Sequence, residues 1–191
     1  MRLWASISLA LLLAAAKPVP AQGTAGAAAK KRVNELTLAG MHPGRDKVRR
    51  FFSVYGKPQT GKPDYLQASW RMDCRKESLH VNADGSGRIA EVRVEFHERL
   101  MATDCVPERR SPWRTGKGLT TGDSVSRVLV LYGEPDSWSP STKDGQRLEL
   151  LYYAFDWAGP DVPQVMEVLC TVEKDGKPGR VVEITLAASS L

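Results

Sequence analysis

Three histidines are the first residues of the chain that could do chemistry, because histidine serves both as a metal ligand and as a general base near neutral pH. His80 and His97 lie on neighbouring predicted strands, where a carboxylate such as Glu95 or Glu98 could join them. A zinc site needs three or four converging ligands, and both histidines fall on predicted polar strand faces. We therefore interpret them as solvent-facing strand residues and expect neither a metal site nor a cofactor.

Three cysteines offer thiol or disulfide chemistry, and three pairings are possible among them. Cys74 and Cys105 lie closest in sequence, and a disulfide between them would close a loop of about 30 residues, worth roughly 3–4 kcal/mol in the chain-entropy model. A nucleophilic Cys74 with His80 as its base is the alternative, but in the oxidising compartment predicted below a bonded Cys74 is favoured. Cys170 falls on the predicted apolar face of its strand, so we predict a free, buried thiol.

Motifs of known catalytic classes are missing from the sequence. It contains no His-Glu-x-x-His zinc motif, no Gly-x-Ser-x-Gly or Ser-x-x-Lys nucleophile motif and no phosphate-binding Walker loop. We therefore expect a protein that is not an enzyme, and we assign no catalytic residue. An envelope hydrolase or metal-binding protein whose site carries no known motif is the alternative.

Tryptophans on polar segments are typical anchors of protein–protein contacts. Trp138 lies in a long polar loop predicted over residues 136–147, and Trp157 lies in a short polar segment beside a predicted strand. For Trp138 a contact residue and a side chain packed over its own lobe are both open, whereas packing is favoured for Trp157. We predict a contact surface centred on Trp138 and supported by Tyr153 and Trp157.

The helices that must position these residues are indicated by one short phrase that occurs twice. Val54-Tyr55-Gly56-Lys57-Pro58 returns 77 residues later as Leu131-Tyr132-Gly133-Glu134-Pro135. Apolar residues spaced i, i+3, i+4 and i+7 lead up to each phrase. This spacing predicts two short amphipathic helices, over residues 46–55 and 123–132.

The predicted helices have matching first and last residues. Asp46 and Asp123 are the predicted N-caps, because a carboxylate there accepts the unpaired N–H groups of the first turn. Gly56 and Gly133 are predicted to end the helices in a left-handed conformation, and a proline two residues later prevents continuation. The predicted helix-stop residues are Tyr55, Gly56 and Pro58 in the first copy and Tyr132, Gly133 and Pro135 in the second.

Segments in which apolar and polar residues alternate follow each helix and predict antiparallel strands. They surround the turns Asp84-Gly85 and Asp175-Gly176, each typical of a β-hairpin. Leu148, Leu150 and Tyr152 are the predicted apolar face of one such strand. One face of each sheet is apolar, so we expect a helix to cover it. The predicted fold class is α+β: a tandem repeat of a short helix plus an antiparallel β-meander, with the helices packed on one face of the sheets.

The N-terminal residues are typical of a secretory signal peptide. A positive Arg2, a ten-residue apolar run and small residues before position 21 make up this pattern. We expect cleavage near Ala21 and an exported protein, periplasmic or extracellular. The run is too short to span a membrane and no cysteine directly follows it, so we expect no stable membrane insertion after cleavage and no lipid anchor.

Composition divides the chain after the signal peptide (1–21) into four segments: a flexible tail (22–34), a first repeat (35–110), a connection (111–117) and a second repeat (118–191). Beyond the signal peptide the chain has 25 basic and 22 acidic residues, a net charge of +3. A nucleic-acid-binding protein normally shows a concentrated basic stripe. The charge is mixed instead, so we expect no nucleic-acid partner.

The repeated phrase, in its exported context, resembles a known group of proteins. The motif consists of Gly122-Asp123-Ser124 followed by a helix ending in Tyr132-Gly133-Glu134-Pro135, and of Gly44-Arg45-Asp46 followed by a helix ending in Tyr55-Gly56-Lys57-Pro58. It is similar to that of the superfamily of the β-lactamase inhibitory proteins and the BamE (SmpA/OmlA)-type outer-membrane assembly lipoproteins. The resemblance covers residues 36–186. The chain departs from the lipoproteins by lacking the lipidated cysteine, and from the tandem inhibitors by having a single predicted disulfide.

This resemblance implies a protein that acts by contact, without a cofactor. The tandem inhibitors hold their partner on the concave face of a joined sheet. We therefore expect an exported protein-binding or envelope-assembly module that acts on another envelope or secreted protein through its sheet face and loops. A secreted enzyme inhibitor is a further alternative.

Overall fold

The computed structural model describes residues 32–61, 66–98, 111–172 and 179–188. The predicted signal peptide (1–21), Cys105 and the predicted Asp175-Gly176 turn lie outside the described residues. So does the predicted tail as far as residue 31. Val33 belongs to that predicted tail, and it is partly buried against the hydrophobic core.

Within the described residues, seven antiparallel strands form one sheet in the order β1-β2-β3-β7-β6-β5-β4. The strands are β1 (Gln67–Met72), β2 (Glu77–Ala83), β3 (Ile89–Phe96), β4 (Ser137–Lys143), β5 (Gln146–Ala154), β6 (Val165–Thr171) and β7 (Val181–Ala187). Together with two short helices they make the protein α+β, which confirms the predicted class.

The two helices are α1 (Arg49–Tyr55) and α2 (Val125–Tyr132). Both lie within the predicted ranges and begin two or three residues later than expected. The fully buried Phe51 of α1 stacks on Trp70 of β1, with 5.5 Å between ring centroids. On α2, Tyr132 packs against Tyr153 of β5 at 5.8 Å. The helices therefore cover one face of the sheet, at its two ends.

The predicted N-caps are wrong for both helices. The N-cap of α1 is Val48, which offers no side-chain cap, while Asp46 accepts a hydrogen bond from the His42 backbone N–H at 2.8 Å. The N-cap of α2 is Ser124, whose Oγ accepts from the Arg127 N–H at 3.2 Å. Each aspartate fixes the turn before its helix rather than the helix itself; Asp123 does so by accepting from the Thr120 N–H.

Glycine ends both helices, but not in the left-handed helical conformation predicted. Gly56 has φ 71° and ψ −154°, and Gly133 has φ 80° and ψ −163°. This region is essentially restricted to glycine. The Gly56 N–H donates to Phe52 O and the Gly133 N–H to Leu129 O. The positive φ is therefore confirmed, and the left-handed helical ψ is wrong.

Matching contacts surround the two helices, and with the edge strand β4 left out the strands have a symmetric order about the β3–β7 pair. An aromatic side chain donates to each helix-ending glycine: Trp70 Nε1 to Gly56 O at 3.1 Å and the Tyr153 hydroxyl to Gly133 O at 3.0 Å. A glycine before each helix also makes matching hydrogen bonds. The Gly44 N–H donates to Ile89 O and the Gly122 N–H donates to Val181 O, both at 2.7 Å. The carbonyl oxygens of the same glycines accept from arginine side chains, Gly44 O from Arg88 at 3.1 Å and Gly122 O from Arg180 at 3.0 Å.

The long loop predicted over residues 136–147 is instead a β-hairpin, formed by β4 and β5. The register of β5 also differs from the prediction. Leu151 and Tyr153 face the helices and are at most 2% exposed, whereas Leu150 and Tyr152 lie on the opposite face and are only partly buried. A shift of one residue moves a whole apolar set to the other face of a strand, so the predicted face was wrong.

The segment after residue 110 packs against the rest of the protein through two buried carboxylates. Glu77 accepts hydrogen bonds from the hydroxyls of Ser111 at 2.6 Å and Thr121 at 2.5 Å. Glu35 accepts from the Tyr132 hydroxyl at 2.6 Å. Both glutamates are at most 2% exposed, so these bonds link distant parts of the chain inside the core.

Within the described ranges, no helix is long and apolar enough to cross a membrane.

Candidate functional site

The sheet face without helices carries a compact group of polar side chains near its centre. Strand alternation places Ser78 and His80 of β2 on this face, together with Glu95 of β3 and His97, the residue that follows β3. The pairing register sets Ser78 directly opposite Glu95. Two neighbouring strands therefore bring two imidazoles, a hydroxyl and a carboxylate to one place.

The two imidazoles point their Nε2 atoms at the same position. Ser78 Oγ lies 2.8 Å from His80 Nε2 and 2.6 Å from His97 Nε2. Glu95 Oε2 lies 3.0 Å from His80 Nε2 and 3.9 Å from His97 Nε2. Ser78 is 3% exposed and Glu95 is 8% exposed, while the histidine side chains are 32% and 36% exposed. The imidazoles thus form the solvent-facing part of a cluster whose floor is buried.

A second carboxylate and a lysine complete the group. Glu183 of β7 pairs directly opposite Glu95 and is also 8% exposed. Two like charges opposite each other destabilise a sheet. Lys143, at the tip of the β4–β5 hairpin, contacts both carboxylates and compensates their charge.

The contact of Lys143 with Glu95 also defines the shape of the sheet. Three strands separate β4 from β3 in the sheet order, which corresponds to about 19 Å in a flat sheet. That distance is far beyond the reach of one lysine side chain. The sheet must therefore curve, with the hairpin tip bent over the face that the helices leave open.

Burial and nearby positive charge lower the pKa of both imidazoles. Burial lowers the pKa of His80 below its ordinary value, and the charges of Arg93 and Lys143 lower this pKa further. The pKa of His97 is also lowered, first by burial and then by the charges of His80 and Arg71. A lowered pKa favours the neutral imidazole, which offers the lone pair that a base or a metal ligand needs.

The geometry differs from that of a catalytic triad. In a triad the carboxylate binds one ring nitrogen of histidine and the serine binds the other. Here Glu95 and Ser78 both contact His80 through the same Nε2 atom. The imidazole is therefore not held between an orienting carboxylate and a nucleophile.

The sequence predicts His80 and His97 as solvent-facing strand residues, with a metal site that includes Glu95 or Glu98 as the less favoured alternative, and the structure brings both histidines together with Glu95. Ser78, Lys143 and Glu183 were missed altogether. The hairpin at Asp84-Gly85 was the available signal, because it fixes which residues of β2 and β3 are opposite. A register shift between Asn82 and Ala83 changes that pairing by one residue, however, and the sequence gives no sign of it.

Trp138, the centre of the predicted contact surface, is on the surface of the protein. It lies in β4 and is 46% exposed. A shallow groove along the β4–β5 hairpin is lined by Trp138, Pro140, Thr142, Leu148 and Val172, among others. Trp138 is therefore available for contact, although from a strand rather than from a loop.

The other two predicted contact residues do not join Trp138. Tyr153 is 2% exposed, burial raises the pKa of its hydroxyl, and its ring packs on Tyr132 and Phe155. Its prediction as a contact residue is wrong, because the register of β5 turns it towards the helices. Trp157 is 43% exposed, but its Nε1 donates to Ala154 O at 3.0 Å and Arg32 lies over its ring at 5.9 Å. Trp157 thus packs on its own turn.

Cys170 is a free, buried cysteine, as predicted. Burial, with a smaller effect of Glu149, raises the pKa of its thiol to about 12. Cys74 is disulfide-bonded. Cys105 lies outside the described residues, so the pairing of Cys74 with Cys105 stays a prediction.

Comparisons with known proteins give structural similarity alone. No family model matches the chain, and no curated protein matches it. A DUF4309 family protein from Bacillus subtilis is similar with a TM-score of 0.44 and 11% identity, over 82% of this chain and 88% of that chain. A cysteine-rich secretory protein from Staphylococcus aureus is similar with a TM-score of 0.43 and 11% identity, over 82% of this chain and 48% of that chain. Similarity at this level supports no statement about function.

Proposed function

We propose that this chain is an exported, non-enzymatic binding module that contacts another envelope or secreted protein through the helix-free face of its sheet and the β4–β5 hairpin. The observation that carries the proposal is the shape and charge of that face. It is curved, it is left open by both helices, and it bears charged side chains on several adjacent strands.

Polar side chains follow one another across the sheet in register. His80 of β2 pairs with Arg93 of β3, which pairs with Thr185 of β7, which in turn pairs with Glu167 of β6 and then Tyr152 of β5. Aromatic residues are enriched in protein-contacting surfaces, and complementary charges there give specificity and fix the register of the two partners.

We further propose that the chain consists of two copies of one helix-plus-meander unit, related to the β-lactamase inhibitory protein and BamE-like superfamily. The matching contacts around Gly56 and Gly133, and around Gly44 and Gly122, support two copies. The symmetric strand order about β3 and β7 supports them as well. In this arrangement β4 is an additional strand of the second copy, and the hairpin it forms is the feature that makes the two ends of the face different.

The hydrolase alternative has less support. Ser78, the serine nearest to an imidazole of the cluster, is 3% exposed and shares its histidine nitrogen with Glu95. A secreted enzyme inhibitor would use the same face and is a special case of the proposed binding module.

The test is capture of a partner by the purified whole chain from the envelope fraction of the producing organism, followed by the same capture with surface variants. Trp138→Ala alters the hairpin and Arg93→Ala alters the face, while Val130→Ala, at a side chain 79% exposed on α2, is the matched control. We expect the first two variants to lose the captured protein and the control to keep it, with melting temperatures unchanged. Loss of capture by the control alone would place the contact on the helix side and contradict the proposal.

A further inference from the structure

Three atoms of types that bind metal ions converge in the cluster on the open face. One ring nitrogen of His80, one ring nitrogen of His97 and a carboxylate oxygen of Glu95 all lie within 4.8 Å of one another. Both imidazoles are about one-third exposed, so an ion from solvent can reach them. The side chains extend from β2 and from the end of β3, two strands that are paired along their whole length.

From this convergence we propose that His80, Glu95 and His97 bind a divalent transition-metal ion, with zinc as the reference ion. Two imidazoles and one carboxylate are a donor set that zinc uses with an open fourth position. The same donor set also suits other first-row divalent metals. The inference is independent of the proposed binding function.

The distances require only side-chain adjustment. Zinc binds imidazole nitrogen and carboxylate oxygen at about 2.0–2.2 Å, which places tetrahedral ligand atoms about 3.3 Å apart. Glu95 Oε2 already lies 3.0 Å from one imidazole nitrogen and 3.9 Å from the other. Ser78 Oγ now lies between the two nitrogens, so its hydroxyl must rotate away or hydrogen-bond to the bound carboxylate.

Neighbouring residues orient the carboxylate and also set the strength of binding. Lys143 contacts Glu95 through Oε1 and thereby leaves Oε2 for the imidazoles. Outer-sphere contacts of this kind fix the orientation of a ligand. Lys143 also places a positive charge beside the site, while Glu183 places a negative one there. Removal of the lysine charge should therefore tighten cation binding.

Isothermal titration of the purified whole chain with ZnCl2, made without a histidine tag and at pH 7.5, tests the proposal. We expect one zinc ion per chain. His80→Gln and His97→Gln should each weaken binding at least about tenfold, since loss of even an outer-sphere partner costs that much. His42→Gln is the matched control, because His42 is the remaining histidine of the chain and hydrogen-bonds to Pro43 O outside the cluster. Wild-type protein without binding, or His80→Gln and His97→Gln with wild-type affinity, would overturn the proposal.

Glu95 and Lys143 are tested in the same titration. Glu95→Gln should weaken binding, and Lys143→Met should strengthen it. If Glu95→Gln binds zinc with the affinity of the parent, the Glu95 carboxylate is not a ligand, which contradicts the proposed set of three ligands. The melting temperature of each variant without metal shows whether it is folded.

Cobalt provides a readout that does not depend on affinity. CoCl2 added to the wild-type chain should produce visible absorption bands with the intensity of four- or five-coordinate cobalt, and ZnCl2 should abolish them. The same bands should be missing from the His80→Gln/His97→Gln double variant. Equal bands in the double variant would show that the metal binds elsewhere and would contradict the assignment.

Discussion

Cys170 shows at the scale of one residue how burial controls reactivity. Its side chain is fully buried on the helix side of β6 and the pKa of its thiol is raised to about 12. The thiolate is the reactive form of cysteine. At neutral pH this residue is therefore both inaccessible and protonated.

In the native protein the Cys170 thiol should therefore not react with a chromogenic thiol reagent such as Ellman's reagent at pH 8. In guanidinium chloride the thiol becomes accessible, and Cys170 should then react. Cys170→Ala is the control and should lose this signal. Rapid reaction of the native protein that is lost in Cys170→Ala would mean that β6 is not covered as described.

Glu167 is the second residue whose environment has a measurable consequence. It lies on the open sheet face and is partly buried, and burial, with the nearby charge of Glu91, raises the pKa of its carboxyl group. The folded state then holds this proton to higher pH than the unfolded state does. Stability therefore falls as pH rises through the raised pKa, and ionised Glu167 costs stability at neutral pH.

We expect Glu167→Gln to melt at a higher temperature than the parent at pH 7.5. At pH 3 the two proteins should melt alike, because glutamate is then neutral in both the folded and the unfolded state. Thermal unfolding followed by circular dichroism at the two pH values is the measurement. A lower melting temperature for the variant at pH 7.5 would mean that the carboxylate makes a stabilising contact.

The helix ends show at the scale of elements how one residue type fixes chain direction. Both glycines combine a positive φ with an extended ψ, and a Cβ at either position would meet no atom within 4 Å. The requirement for glycine therefore comes from backbone conformation, not from crowding. Each glycine carbonyl also accepts a hydrogen bond from a core aromatic residue. This hydrogen bond helps to fix the direction in which the chain leaves the helix.

Gly56→Ala and Gly133→Ala should each lower the free energy of unfolding by about 1–3 kcal/mol, the cost of a side chain in this region of backbone conformation. Gly85→Ala is the matched control, because Gly85 has no positive φ and its Cβ would also meet nothing. Urea unfolding measures all three. A loss in the control as large as in the two variants would attribute the effect to something other than helix termination.

Contacts between distant segments hold the whole molecule together, and Glu77 is central to them. It is 1% exposed and accepts hydrogen bonds from Ser111, Thr121 and Arg75, so it connects β2 with the segment that leads to α2. Trp113, in that segment, packs edge-on against Tyr55 of α1, with 6.2 Å between ring centroids. The segment predicted as a simple connection thus has buried residues of its own.

Glu77→Ala should reduce the free energy of unfolding by about 3 kcal/mol or more, because it removes the buried carboxylate that accepts hydrogen bonds from the Ser111 and Thr121 hydroxyls, and a hydrogen bond to a charged group contributes about 1.5–3 kcal/mol. The exposed pair Arg71–Asp73, with side chains about half exposed, gives the control: Asp73→Ala should cost at most about 1 kcal/mol. Denaturant unfolding compares them. Equal losses would mean that burial adds nothing to the Glu77 contacts.

The sequence by itself determined the parts of the fold whose signal is local. Helix positions followed from apolar spacing, because a short helix must bury one stripe of side chains. The glycine stops followed from a conformation that other residues avoid. The strands β2, β3 and β6 alternate apolar and polar residues because one face of each is in the core and the other is open.

Tertiary structure alone decided the conformation and register of the elements whose local apolar pattern is missing or ambiguous. Strand β4 is exposed or only partly buried along its whole length, so its residues, Trp138 among them, show no alternation and resemble a loop. In β5, apolar residues from Leu148 to Tyr153 point to both faces of the strand, so the sequence does not show which face is buried. The pairing with β6 decides that Tyr153 points into the core. The cluster of His80, Glu95 and His97 depends on strand register, and the approach of Lys143 depends on sheet curvature. Both result from packing summed over the whole sheet, which no single segment of sequence encodes.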